Sequence, residues 1–291
     1  MIRDFLAKNF AKYNDKPFIG ARNSNKEQFQ WLTYQDIYTK SQHLASFLSK
    51  NVTIPPSDVF PFGTVCICSE NRAEWLISDF ACSLNGLVSV GFHSSWPLEE
   101  SITIANDVYA SAAIVSGTYL DYFLKIAEKQ KSLKLIICMD DIECDGVIKL
   151  TDIFKMPIES YDILPNEYHT IIYSSGTTGS PKGLPITRQR WIYDALHGPF
   201  QADKRSVYLS FSALAHAMDR GIAWQLMLVG VQFAISRGDH ESILEDAQVI
   251  EPSLIMSMPH FWNDLYYDYK QILQNLIIRY VKNIEKVPNP S

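Results

Sequence analysis

The sequence predicts an α/β fold, with alternating strands and helices and a mostly parallel sheet. Three observations carry this. Short aliphatic and β-branched runs alternate with runs of helical period along the chain. The helical runs are long enough to serve as crossovers between parallel strands. Apolar residues make up 47% of the 291 residues and aromatics 12%, enough to bury a sizeable core.

The elements follow in order. Ile2, Phe5, Leu6 and Phe10 have helical spacing, which suits a packed helix; a membrane-surface helix is the alternative. Residues 63–68 read as a buried strand. Residues 70–85 carry a helix stripe of Trp75, Leu76, Phe80, Ala81 and Leu84. A second strand covers 87–92, and Pro97, Glu99 and Glu100 open the next helix as the macrodipole prefers. Strands at 112–115 and 135–138 flank a helix near 119–129. Further strands are predicted at 169–173, 207–211, 231–235 and 254–256, with helices at 216–229, 241–250 and 261–281. Loops at 51–62 and 155–168 punctuate the chain, and the second is a candidate sub-domain break. No repeat of solenoid length is visible.

Composition narrows the function classes. A net charge of −6 gives no whole-chain attraction to nucleic acid or anionic membrane. Five cysteines, with no Cys-x-x-Cys and no His pair at zinc spacing, read as reduced, mostly buried thiols of an intracellular protein. The Asn51-Val52-Thr53 glycosylation match is then idle. The N-terminus does not read as a signal peptide. The best apolar stretch, 222–235, is too short to span a bilayer and carries Gln225 and Gln232. A cytoplasmic location, or a peripheral one on an organelle membrane, is expected.

One segment carries chemistry. Ser174, Ser175, Gly176, Thr177, Thr178, Gly179, Ser180, Pro181, Lys182 and Gly183 follow a predicted strand. Glycines let backbone N–H groups converge on an anion. Hydroxyls add donors and Lys182 adds a point charge, so the loop suits a polyphosphate. A mobile surface turn is the bland alternative. It is not a Walker A loop, because Lys182 stands between Pro181 and Gly183, and 184–187 then looks extended rather than helical.

Residues 174–183 resemble the signature loop of the AMP-forming adenylate synthetases, the superfamily of acyl-CoA synthetases, luciferases and peptide-synthetase adenylation domains. Other segments share the resemblance: 31–36, 70–75 followed by 81–86, Leu214-Ala215-His216 with Asp219-Arg220, 237–239, and Met258-Pro259. The flavour of 17–22 before Trp31 is that of long-chain fatty acyl-CoA synthetases. The resemblance implies the large N-terminal domain of that fold. It implies a carboxylate attacking the α-phosphorus of ATP, pyrophosphate leaving, and the thiol of CoA taking the acyl group from acyl-AMP. Lys182 and His216 are then the candidate catalytic residues, and Ser174 to Lys182 the phosphate-binding ones. Thr178 is the candidate Mg²⁺ ligand, and a fatty acid or other carboxylate the substrate. For His216 the competing reading is a capping or core histidine at a helix start. Trp224, Met227 and Leu228 would line an acyl tunnel or simply pack the core.

Nothing in residues 1–291 resembles the family's later aromatic-Gly-x-Thr-Glu segment, its ribose-binding aspartate, or its small C-terminal domain with the adenylation lysine. The whole chain is therefore expected to be a partial AMP-binding N-terminal domain without the C-terminal domain: a fragment, a truncated gene model or a short paralogue. Two readings stay open, the phosphate-loop part of an acyl-CoA synthetase and a non-catalytic remnant that binds nucleotide, lipid or a partner chain.

Overall fold

The computed structural model describes residues 2–22, 28–54, 62–93, 95–174, 181–198, 206–238 and 240–284. The chain opens with α1 (Ile2–Tyr13), β1 (Pro17–Ala21), β2 (Gln30–Thr33) and α2 (Tyr34–Asn51). The stripe on α1 is spent on the core. Ile2, Leu6, Phe10 and Tyr13 are buried, and Phe10 packs on Phe18, Tyr34 and Phe80. Those side chains are not free to face a lipid surface. The step from β2 into α2 is a capping box. Thr33 accepts from the Asp36 N–H at 3.1 Å, and Asp36 accepts from the Thr33 N–H at 2.8 Å.

The central stretch runs β3 (Thr64–Cys68), α3 (Ala73–Asn85), β4 (Val88–Gly91), α4 (Leu98–Asp107), β5 (Ala112–Val115), α5 (Leu120–Lys129), β6 (Leu135–Cys138), β7 (Val147–Lys149), α6 (Leu150–Ile153), β8 (Tyr168–Ser174), β9 (Lys182–Thr187) and α7 (Arg188–Leu196). These strands form one sheet in the order β7-β6-β5-β3-β4-β8-β9. All neighbours are parallel except the β8–β9 pair. Its inner strands β3, β4, β5 and β6 are buried at every residue, so they lack polar alternation. Residues 155–167 join α6 to β8 without strand or helix.

The chain then returns through β10 (Val207–Ser210), α8 (Ala217–Val229), β11 (Gln232–Ile235) and α9 (His240–Ile250), reaching β12 (Leu254–Ile255). Here the structure refines the expectation of one sheet. β10, β11 and β1 are parallel neighbours and β2 closes antiparallel on β1, making a second sheet from the two ends of the stretch up to Leu254. Ile19 pairs with Phe233. Helix α3 starts at Ala73, later than the predicted residue 70, because Asn71 and Arg72 bond elsewhere. Contacts divide the chain into Met1–Leu254 and Ile255–Ser291. The second unit holds α10 (Pro259–Ile284), slightly longer than predicted. No helix among the described residues is long and apolar enough to cross a membrane. The described cysteines are free thiols, four of them buried.

A buried polar cluster joins α3 and α8 to the central sheet. The Asp79 carboxylate accepts from Arg220 Nε at 3.0 Å and from Arg220 Nη2, from Ser89 Oγ at 2.8 Å and from Trp224 Nε1 at 2.9 Å. Arg220 Nη1 donates to Thr170 Oγ1 at 2.7 Å, and its guanidinium lies between Trp75 and Trp191. Trp224 therefore belongs to the core rather than to an acyl tunnel. Burial works to raise the Asp79 carboxyl, but the Arg220 charge outweighs it and holds the group below the usual carboxylate range.

His169 completes the cluster. Its Nδ1 lies 3.0 Å from Ser83 Oγ, and its Nε2 lies 3.3 Å from Arg220 Nη2. An arginine only donates, so Nε2 accepts and Nδ1 carries the proton. Burial, aided by the Arg220 charge, pushes this imidazole down to about 3. The unfolded imidazole titrates near ~6.5, so between those values the unfolded state holds the extra proton. The stabilisation from a neutral His169 is thus complete above about 6.5 and is lost as pH falls toward 3. Urea midpoints are expected to drop between pH 7 and pH 4.5, and to drop less in His169→Gln. Equal drops in both would remove His169 from this role.

Candidate functional site

The site is built on the carboxyl ends of β4 and β8. These strands are parallel neighbours, with Ser89 opposite Thr170 and Val90 opposite Ile171. Strand β8 continues to Ser174, which pairs across the antiparallel ladder with Lys182 at the start of β9. The hairpin therefore fixes both ends of the segment singled out in the sequence. Ser175, Gly176, Thr177, Thr178, Gly179 and Ser180 lie outside the described residues. Pro181 is half-buried and Lys182 is exposed.

Gly183 has a packing reason of its own. It faces Tyr173 across the ladder, and a Cβ there would stand 2.8 Å from the Tyr173 ring. Tyr173 is buried and its hydroxyl donates to the Asp107 carboxylate, whose charge adds to burial in holding the phenol protonated. The Pro-Lys-Gly terminus is thus a hairpin feature, which leaves Gly176 and Gly179 as the candidate glycines for an anion nest.

His216 stands at the N-cap position of α8, yet its side chain makes no capping bond. The residues before it are held from both sides. Asn71 Nδ2 donates to the Ser212 carbonyl at 2.7 Å, and Asn71 Oδ1 accepts from the Leu214 N–H at 2.9 Å. A Cβ on Gly91 would stand 2.8 Å from the Ala215 backbone, so only glycine at the end of β4 admits this segment. Asp219 accepts from Tyr208 Oη at 2.7 Å and from Ser210 Oγ at 2.6 Å. Burial raises the Asp219 carboxyl to about 6 against those hydrogen bonds.

These supports place the exposed His216 with its ring centroid 4.1 Å from that of His93, a residue that sequence reasoning missed. His93 meets Trp96 at 4.7 Å, and Trp96 meets Tyr173 at 6.3 Å. A chain of ring contacts thus runs from His216 to the residue preceding Ser174. Burial first, then the neighbouring His216, pushes His93 down to about 4; burial alone lowers His216.

A cleft of about 990 Å³ among the described residues lies elsewhere. Trp31, Glu70, Arg72, Phe211 and Arg237 line it, and neither Lys182 nor His216 does. Its arginines are committed to carboxylates: Arg72 to Glu74 and Asp140, Arg22 and Arg237 to Glu245 and Asp246. Among the described residues no group of three or more His, Cys, Asp or Glu side chains is assembled that could hold a metal. Mg²⁺ takes most of its ligands from water and substrate phosphates, so a single protein hydroxyl is compatible with it. Thr178, the candidate, lies outside the described residues.

Residues 6–283 match the family model described as AMP-binding enzyme. The chain belongs to the AMP-binding enzyme family. Its similarity to curated proteins points to one branch. It is 26% identical over 279 residues to fatty acyl-CoA synthetase B of Dictyostelium discoideum, covering 88% of this chain and 40% of that protein. It is 26% identical over 275 residues to the peroxisomal long chain acyl-CoA synthetase 6 of Arabidopsis thaliana, covering 87% and 38%. The chain thus spans about 40% of the length of these relatives. Among solved structures, the A domain of carboxylic acid reductase from Segniliparus rugosus, in complex with AMP and a co-purified carboxylic acid, superposes with a TM-score of 0.81. That match has 16% identity and covers 94% of this chain and 51% of that one. A red-emitting luciferase from Phrixothrix hirtus gives 0.73 at 21% identity, covering 89% and 64%. At these identities the structures establish a shared α/β fold with mostly parallel sheets.

Proposed function

We propose that this chain is the phosphate-binding N-terminal portion of a long-chain fatty acyl-CoA synthetase, acting in ATP-dependent formation of acyl-AMP and then acyl-CoA. The observation that carries the reading is the β8–β9 hairpin. It sets Ser174 and Lys182 opposite each other at the two ends of a Gly/Ser/Thr segment, at the carboxyl edge of a parallel sheet. That edge is where open α/β sheets bind ligands. The relatives' names supply the substrate class.

In this reading Ser174 to Pro181 and Lys182 hold the β- and γ-phosphates of ATP and the departing pyrophosphate, with Thr178 lending its hydroxyl to Mg²⁺. Pre-placed donors stabilise the charge that accumulates on the leaving group without reorganising. His216 meets the fatty-acid carboxylate and the α-phosphate, and CoA is the acyl acceptor. Free buried thiols support an intracellular site, in the cytoplasm or peripheral on an organelle membrane.

Lys182→Ala tests the assignment. A lysine at the β- and γ-phosphates has nothing to hold in AMP, and a charge-assisted contact is worth roughly 1.5–3 kcal/mol. Calorimetry should show ATP binding about 10- to 100-fold weaker and AMP binding unchanged. Equal losses for both nucleotides would place Lys182 away from the polyphosphate.

A further inference from the structure

His93 sits on a fixed backbone. Strand β4 ends at Gly91, and the Phe92 N–H still donates to the Ile67 carbonyl at 2.9 Å. The Trp96 N–H turns back to the His93 carbonyl at 3.2 Å, and Tyr122 Oη donates to the Trp96 carbonyl at 2.8 Å. The His93 ring is therefore held between the Trp96 indole and the His216 imidazole, with centroids 4.7 and 4.1 Å away.

Two carboxylates on the flanking helices are bound by other groups. From α8, Asp219 is bound by Tyr208 and Ser210; from α4, Asp107 is bound by Tyr173. Among the described residues, neither imidazole is ion-paired with a carboxylate. Two contacting imidazoles with no counter-ion disfavour double protonation, and the place of the counter-ion is open to an incoming anion.

We propose that His93 packs against and holds the His216 ring, that the two imidazoles together carry no more than one proton, and that with it His216 meets an oxyanion, of a carboxylate or a phosphate, at the carboxyl ends of β4 and β8. The inference rests on the acyl-adenylate reading for the identity of the oxyanion and adds His93 as a positioning residue. The proton comes from solvent on binding and returns on release. Burial lowers both rings without a ligand, so the arriving anion is what favours the proton. The two sources of the oxyanion are separable, since a fatty acid brings a carboxylate and pyrophosphate brings only phosphate oxygens.

The test is an NMR pH titration of the imidazole protons in the full chain, alone and with inorganic pyrophosphate or octanoate. Without ligand, two separate steps are expected, the lower one from His93. His216→Phe should raise the His93 step by about one pH unit, because the like charge is gone and ring packing is kept. His93→Phe should leave one step and a broadened, mobile His216 signal, while His93→Gln should leave the fold intact by circular dichroism. A His93 step unmoved by His216→Phe would overturn the pairing. With ligand, the His216 step should rise about one pH unit or more in the unaltered chain and clearly less in His93→Phe. A rise with octanoate alone assigns the carboxylate, and a rise with pyrophosphate alone assigns the phosphate. No rise with either overturns the oxyanion role. Pyrophosphate that binds without moving His216, with no rise from octanoate, overturns the inference and leaves the phosphate-loop reading standing. Pyrophosphate that does not bind at all removes that reading, and the octanoate arm still decides the inference.

Discussion

Replacing Asp79 with Ala is expected to cost about 3–5 kcal/mol of stability, the range for removing one partner of a buried ion pair. Arg220 is 1% exposed, and its guanidinium would keep its charge with no carboxylate beside it. The Trp224 indole N–H would lose its acceptor, and Ser89 would lose one of two. Domains of this kind are stable by only ~5–15 kcal/mol, so the variant should sit near the edge of folding. The cost lies in the orphaned charge rather than in the worth of the pair. Asp79→Leu combined with Arg220→Met should therefore recover much of the loss, because apolar groups of similar volume need no counter-ion. Urea midpoints of the single and double variants measure both. A single variant within ~1 kcal/mol of the unaltered chain would mean that water reaches the cluster.

Most strands were legible because the parallel sheet buries them on both faces. Residues 64–68, 112–115 and 135–138 leave no polar alternation to confuse the pattern. The three-residue β7 carries too little pattern to read, and β9 opens on exposed residues. The division into two sheets was not legible. It depends on Ile19 pairing with Phe233, and nothing local to either residue announces the other.

The candidate site divides in the same way. Residues 174–183 stand out by composition, because glycines, hydroxyls and a lysine rarely crowd one short loop. Gly183 reads as part of that loop, and only the register against Tyr173 gives it a packing reason. Asn71 reads as the start of a helix, yet it clamps the segment leading to His216. His93 carries no local signal at all. Its partner is distant in sequence, and only the close approach at Gly91 brings the two rings together.

The second large effect concerns turnover. The 291-residue chain is expected to bind pyrophosphate or ATP weakly and to form no acyl-AMP at a useful rate. The hairpin supplies phosphate donors, but adenylation also needs ribose, metal and carboxylate held in register. Such positioning accounts for up to roughly 7–11 kcal/mol of barrier lowering in well-oriented reactions, each 1.4 kcal/mol being about tenfold. No segment of residues 1–291 resembles the ribose-binding aspartate strand or the aromatic-Gly-x-Thr-Glu segment whose glutamate joins in holding Mg²⁺ in the adenylate synthetases. The most direct measurement is ATP–pyrophosphate exchange by the purified, monodisperse chain with Mg²⁺ and fatty acids of several lengths. The expected result is exchange at background, alongside pyrophosphate binding that Lys182→Ala weakens. Robust exchange abolished by Lys182→Ala would contradict it, and would mean that this chain holds the complete adenylation machinery.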